Sequence, residues 1–153
     1  MLQAMSQSQR DAYLYWRNRI VKPNNKGILL RKDMDLERKF VAAGGLLLAG
    51  PDLGSPGMIP GFSDQRQIEL LVEEGFTPVE AIRIASLNGD TFLGRQNQIG
   101  SIAVGKNADL LIVKGDPASR INDIENVQIV FKDGAGYDTQ KLLEAAKGHY
   151  GEY

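Results

Sequence analysis

The sequence predicts an α/β chain, and three observations carry that expectation. Between residues 2 and 94, helix-forming stretches surround one short apolar run, Gly44-Gly45-Leu46-Leu47-Leu48-Ala49-Gly50-Pro51-Asp52. From Ala108 onward the pattern changes to short strand-like segments, Ala108 to Val113 and Val127 to Lys132, followed by the turn pair Asp133-Gly134. Hydrophobic residues make up 42% of the 153 and charged residues 24%, enough to bury a core of useful size.

Residues 2 to 21 favour helix, with no internal Gly or Pro, and Tyr13, Trp16 and Ile20 are spaced to share a face. Turn residues cluster at Pro23-Asn24-Asn25-Lys26-Gly27 and end it. A short strand is expected over Ile28 to Leu30. Asp33 can then cap a helix through Ala43, with Leu36, Phe40 and Val41 as its apolar side. Gly44-Gly45 stops that helix and leads into the apolar run, expected as a buried strand. Beyond the Gly/Pro-rich stretch Leu53 to Gly61, Ser63 can cap a helix in which Ile68, Leu71 and Val72 repeat at helical spacing, with Gly75 as its stop. Thr77-Pro78-Val79-Glu80 is a capping box with proline at the first helical position, starting a helix to about Asn88. A last helix spans residues 139 to 147, and Gly148 to Tyr153 reads as a frayed tail.

Net charge is −1, so no basic field exists to attract nucleic acid, and no basic amphipathic run suggests a membrane surface. The longest apolar run is far below the roughly 20 residues that span a bilayer. Without cysteine there are no disulfides and no thiolate metal sites. The first ten residues are polar rather than signal-like; the compartment stays open, with the cytoplasm as the default.

Asp52 is the candidate site residue. It closes the apolar run at the mouth of a loop, and parallel-sheet enzymes place their chemistry at strand ends. A carboxylate there can bind a divalent metal and take a proton from water. Taken alone, an aspartate after a proline is also an ordinary turn residue. Three other motifs read as structural. Gly100 to Lys106 fits the spacing of a phosphate loop, but Asn107 stands where the magnesium-binding hydroxyl belongs, and a strand rather than a helix follows. Ser55 lacks the glycine spacing of a nucleophile elbow. His149, the single histidine, lies in the expected tail, where a solvated role is the simplest reading. Arg66 and Glu69 are assigned to solvent.

The apolar run ending in Asp52, then Gly100-Ser101-Ile102-Ala103-Val104-Gly105-Lys106-Asn107-Ala108-Asp109-Leu110 and Gly115-Asp116-Pro117, resemble in order and spacing the C-terminal part of metal-dependent amidohydrolases, the imidazolonepropionase-like and prolidase-like members in particular. The resemblance covers roughly residues 36 to 138. It implies the last strand and helices of a (β/α)8 barrel over residues 1–94, the C-terminal strands of a small β-sandwich domain over 95–138, and a C-terminal helix and tail over 139–153. It implies that Asp52 is both a metal ligand and the catalytic proton shuttle, that residues 53 to 62 shape the substrate pocket, and that Lys106 and Asp109 are structural. Two positions depart from the family: Pro51 stands where threonine is usual, and Asp90 where a small residue is usual.

Zinc or another divalent metal is the implied cofactor of a complete enzyme, which would hydrolyse amide, cyclic amide or peptide-like C–N bonds of a small-molecule or peptide-like substrate. A barrel of this kind takes about 250 residues, and a catalytic zinc about three protein ligands. The chain offers 153 residues and one histidine, so it is expected to be incomplete and inactive alone, with no cofactor of its own. Its expected partners are the missing N-terminal barrel portion or a second copy. The alternative is a non-catalytic remnant or interaction chain that pairs with another polypeptide.

Overall fold

The computed structural model describes residues 2–20, 26–52 and 58–150, and the architecture is α/β. Helices α1 (Gln7–Ile20) and α2 (Lys26–Ala42) come first, then α3 (Phe62–Glu74), α4 (Pro78–Ile84) and α5 (Leu87–Phe92). Strands β1 (Leu110–Val113), β2 (Val127–Lys132) and β3 (Ala135–Asp138) follow, with a 3-10 helix over Ile121–Glu125, and α6 (Thr139–Ala146) closes the order.

Local signals set most element ends. Glu80 N–H donates to the Thr77 hydroxyl at 3.3 Å and Thr77 N–H to the Glu80 carboxylate at 2.8 Å, the capping box that starts α4. Gly75, at φ 116°, ends α3 by donating to the carbonyls of Leu71 and Val72. The expected Ser63 cap is corrected: Ser63 lies in the first turn and accepts Ile59 N–H at 2.8 Å, while Asp64 takes Gly61 N–H at 2.8 Å. The single helix expected to Asn88 is broken at Ala85 and Ser86, where the Ser86 hydroxyl donates back to Ile82 O at 2.6 Å.

Two corrections fall around α2. Ile28 to Leu30 form its first turns rather than a strand, because Arg31 to Lys39 carries straight-chain helix formers with no break between. Asp33 is therefore inside the helix. Gly44 and Gly45 end α2, with Gly45 N–H on Phe40 O and Gly44 N–H on Val41 O, both at 2.9 Å. The ring of Phe40 lies where a Cβ on Gly45 would have to go.

The expected buried strand after these glycines is an unpaired extended segment. Over residues 45–52 burial alternates residue by residue: Leu47 and Ala49 are partly covered, Leu46 and Leu48 exposed. The covered side packs on a cluster of Leu71, Phe76, Ala81 and Ile84, joined by Val41, Ile68 and Val72. Asn88 holds the segment by donating to Leu47 O at 2.9 Å. A ladder needs a neighbour on at least one edge, and no described strand lies beside it.

The sheet has order β1-β2-β3, antiparallel throughout, with Leu110 opposite Phe131 and Phe131 opposite Gly136. Asp133 (φ 49°) and Gly134 (φ 82°) turn β2 into β3 in the doubly left-handed geometry of a tight hairpin. Of the expected tail, residues 151–153 lie outside the described residues, and residues 148–150 are tied to the N-terminal stretch. Met5 bridges Tyr150, Ser6 N–H donates to Tyr150 O at 2.9 Å, and Met5 is buried. In α1, by contrast, Trp16 and Tyr15 are exposed, stacked edge-on at 5.6 Å with Arg19 over the Tyr15 ring.

Candidate functional site

The extended segment carries Asp52 to a cavity of about 410 Å³. Leu30, Asp33, Met34 and Glu37 of α2 form one wall, and Phe62, Ser63, Arg66, Gln67 and Glu74 of α3 the opposite one. Gly50, Pro51 and Asp52 close one end with Met58. Asp52 is exposed and makes no hydrogen bond or ion pair among the described residues. Its carboxylate is thus open to a ligand at the rim of a concave, largely apolar space, the usual setting of a small-molecule site.

The acidic groups around it differ in environment. Arg66 is committed, its guanidinium 2.9 Å from Glu69 and 2.7 Å from Glu73, and these partners hold its pKa above the ordinary value. Glu69, assigned to solvent from sequence, is in fact buried at 4% exposure, and its second oxygen accepts from Asn122 of the 3-10 helix at 2.8 Å. That carboxylate ties the Asp52 side of the molecule to the sheet side. The i, i+3, i+7 spacing of Arg66, Glu69 and Glu73 was the one local signal for it. Glu37 and Glu74 both line the cavity and lie beside each other, and sequence reasoning passed over both.

Asp52 by itself does not make a metal site. No group of three or more His, Cys, Asp or Glu among the described residues is arranged to hold an ion, although Asp33, Glu37 and Glu74 line the same cavity as Asp52. His149 is exposed, lies on the stretch beside Met5 and is not among the residues that line the cavity. Ser55 and the rest of 53–57 lie outside the described residues. Met58 and Phe62, which follow them in sequence, do line the cavity.

Lys106 and Asp109 have structural surroundings. The Lys106 ammonium donates to Gln96 O, to Ile99 O at 3.2 Å and to the Ser101 hydroxyl at 2.6 Å, so it is not available to a phosphate. Asp109 accepts Lys132 Nζ at 2.7 Å and Asp133 N–H at 2.8 Å, clamping β1 to the hairpin turn and lowering its pKa. Asp123 does the same for the loop before the 3-10 helix. It accepts Asp116 N–H at 2.8 Å and the Arg120 guanidinium, and its pKa is lowered. Asp90 packs against Gly100, whose φ of 84° and missing Cβ make room for it.

Comparison with known proteins adds the lineage. The model of the amidohydrolase family matches residues 27–135, well over half of the chain. An imidazolonepropionase of Parabacteroides distasonis is 37% identical over 78 residues, which are 50% of this chain and 18% of that protein. An adenine deaminase of Mesorhizobium japonicum is 31% identical over 97 residues, 60% of this chain and 16% of that one. Among solved structures, a putative prolidase from Bifidobacterium longum superposes with a TM-score of 0.60 at 31% identity, covering 71% of this chain and 29% of its own. Phenylurea hydrolase B superposes at 0.59 and 29% identity, covering 68% and 26%. The chain therefore spans less than a third of the length of each.

Proposed function

Because the chain belongs to the amidohydrolase family, we propose that it is the C-terminal part of a metal-dependent hydrolase of amide, cyclic amide or peptide-like C–N bonds, inactive alone. The family is in general metal-dependent, and the relatives named imidazolonepropionase, prolidase and phenylurea hydrolase support a substrate of this class. The observation that carries the reading is the extended segment of residues 45–52. It is covered on one side only, it lies inside the family match, and it delivers an exposed carboxylate to a cavity rim. In this reading residues 1–94 are the last portion of a (β/α)8 barrel, 95–138 the C-terminal part of a small composite β domain, and 139–153 a helix and tail.

Asp52 contributes one ligand to a centre for zinc or another divalent metal, whose remaining ligands come from sequence outside this chain. Its own chemistry is proton transfer: the carboxylate accepts a proton from the attacking water and returns it to the leaving nitrogen. The cavity wall of Met58 and Phe62 faces the small-molecule or peptide-like substrate. A second reading, a non-catalytic chain that pairs with another polypeptide or with its own copy, draws on the unpaired edges of β1 and β3 and on the exposed Leu111 and Ile112.

In the complete enzyme, Asp52→Asn keeps the shape and removes the basic oxygen. Turnover is expected to fall at least about a hundredfold with the circular dichroism unchanged, whereas Ser55→Ala leaves the chemical step nearly intact. The opposite pattern overturns the assignment. For this chain alone, metal analysis is expected to find no stoichiometric zinc. One tightly bound zinc per chain, lost on Asp52→Ala, would contradict its incompleteness.

A further inference from the structure

The cavity that Asp52 lines also contains an arrangement that neither metal binding nor proton transfer by Asp52 uses. Helices α2 and α3 pack side by side, and each sends one glutamate into the space between them, Glu37 from α2 and Glu74 from α3. One oxygen of Glu74, Oε1, is buried without a hydrogen-bond partner. The two carboxyls lie close enough for one to hydrogen-bond the other. Ionised carboxylates only accept, so that bond exists only while one of the pair carries a proton.

We propose that Glu37 and Glu74 form a proton-sharing latch, which docks α2 on α3 while one carboxyl is protonated and releases it when both ionise. Like charges at this separation cannot both ionise cheaply.

The surrounding groups offset the repulsion only in part. Asp35 and Arg38 act on Glu74 from α2, while Asp33 of α2, Arg66 of α3 and Asp52 of the extended segment line the same cavity. Arg66 is held by Glu69 and Glu73. Arg38, packed against Gly75, is the one cation among the described residues that favours ionised Glu74. Glu74 is also the last residue of α3, where the carbonyl end of the helix repels a negative charge. Burial first, then Glu37, push Glu74 up to about 7 from an ordinary 4.5. An acid whose folded pKa is raised stabilises docking fully below its unfolded value. That contribution is lost as pH climbs from about 4.5 to about 7.

The latch has a mechanical consequence. Helix α2 runs through Gly44 straight into the segment that carries Asp52, so release of α2 moves one wall of the Asp52 cavity. The device follows from this chain's own residues and stands whether or not the hydrolase reading does.

The test uses the chain as it is. Carboxyl-carbon NMR titration of the wild type should place Glu74 near neutrality, moving to lower pH in Glu37→Gln. The sequence has no cysteine, so spin labels at Lys32→Cys on α2 and Val79→Cys on α4, both exposed, can report the helix separation. Their distance distribution should lengthen and broaden between about pH 5.5 and about pH 8, the two sides of the transition, and Glu74→Gln should abolish the change. Three results would each overturn the latch: ordinary carboxylate titration of Glu74, a wild-type distance that ignores pH, or a pH response that survives in Glu74→Gln. Should a variant fail to fold, the wild-type titration and distance still decide.

Discussion

The two apolar runs of this chain, Leu46–Ala49 and β1 over Leu110–Val113, have nearly the same composition and different fates. In β1 every residue faces a partner on β2, from Leu110 opposite Phe131 to Val113 opposite Val127. The other run is extended and alternates in burial like a strand, but it pairs with nothing described and rests on side chains alone. Strand-like sequence sets the alternation; a neighbour twenty residues away supplies the ladder. Where that neighbour belongs to another part of a fold, the run keeps its shape and stays bare on one face.

If side-chain packing and the Asn88 hydrogen bond hold the first run, its support should be its weak point. Phe76→Ala empties the cluster on which Leu47 and Ala49 rest, and a phenylalanine-to-alanine change in a core costs about 3–5 kcal/mol. Urea denaturation followed by circular dichroism at 222 nm should show that loss, with the NMR signals of residues 45–52 changing first and the hairpin last.

A smaller effect tests the helices beneath the same run. Thr77→Ala removes the hydroxyl that caps α4, and such a cap is worth about 1 kcal/mol. The same denaturation should detect it, and Thr77→Ser should restore most of it.

The two regions should also differ in the sign of their response to acid. Asp109 has its pKa lowered, first by Asp133 N–H and then by Lys132. A lowered carboxylate stabilises above its unfolded value, so the clamp on the hairpin is present at neutral pH and is lost as pH falls below about 3.8. The α2–α3 contact, with Glu74 raised, strengthens on the way down instead. Residue-resolved NMR between about pH 3 and about pH 8 should show the hairpin loosening at the acid end and α2 at the other. A common direction in both regions would break the contrast.

The smallest effect is the sharpest. Leu48→Ser alters the bare face of the unpaired run and should shift the stability of this chain by no more than about 0.5 kcal/mol. In a complete barrel the same face would be covered, and the change should cost several times more by the same denaturation. Equal costs in both would mean that the run has no missing neighbour.

Legibility in the sequence followed the range of the forces involved. Thr77 with Glu80, Gly75, and the span of β2 with its Asp-Gly turn were readable because the groups that set them lie within a few residues. Asp52 stands out in the sequence only through the motifs flanking it, and in the structure it lines a cavity. The pairing of residues 45–52 was not, because alternation fixes shape and not company. Nor was the burial of Glu69: beside Arg66 it looks like one half of a solvated helical ion pair, and its other partner is Asn122, 53 residues further on, in the 3-10 helix that packs on α3. The facing of Glu37 and Glu74 was invisible for the same reason, since it depends on how two helices meet.

Lys106 leads somewhere else. Its ammonium has three protons, and all three are spent inside one loop, on the carbonyls of Gln96 and Ile99 and the hydroxyl of Ser101. Oxygen atoms gathered around a small monovalent cation are how many loops bind potassium or ammonium from solution. Here the ion is tethered to the chain by its own side chain. The loop between α5 and β1 thus carries a built-in counterion that cannot dissociate, be chelated or be diluted away, and chemical acylation of that one amine would act on it as removal of the ion.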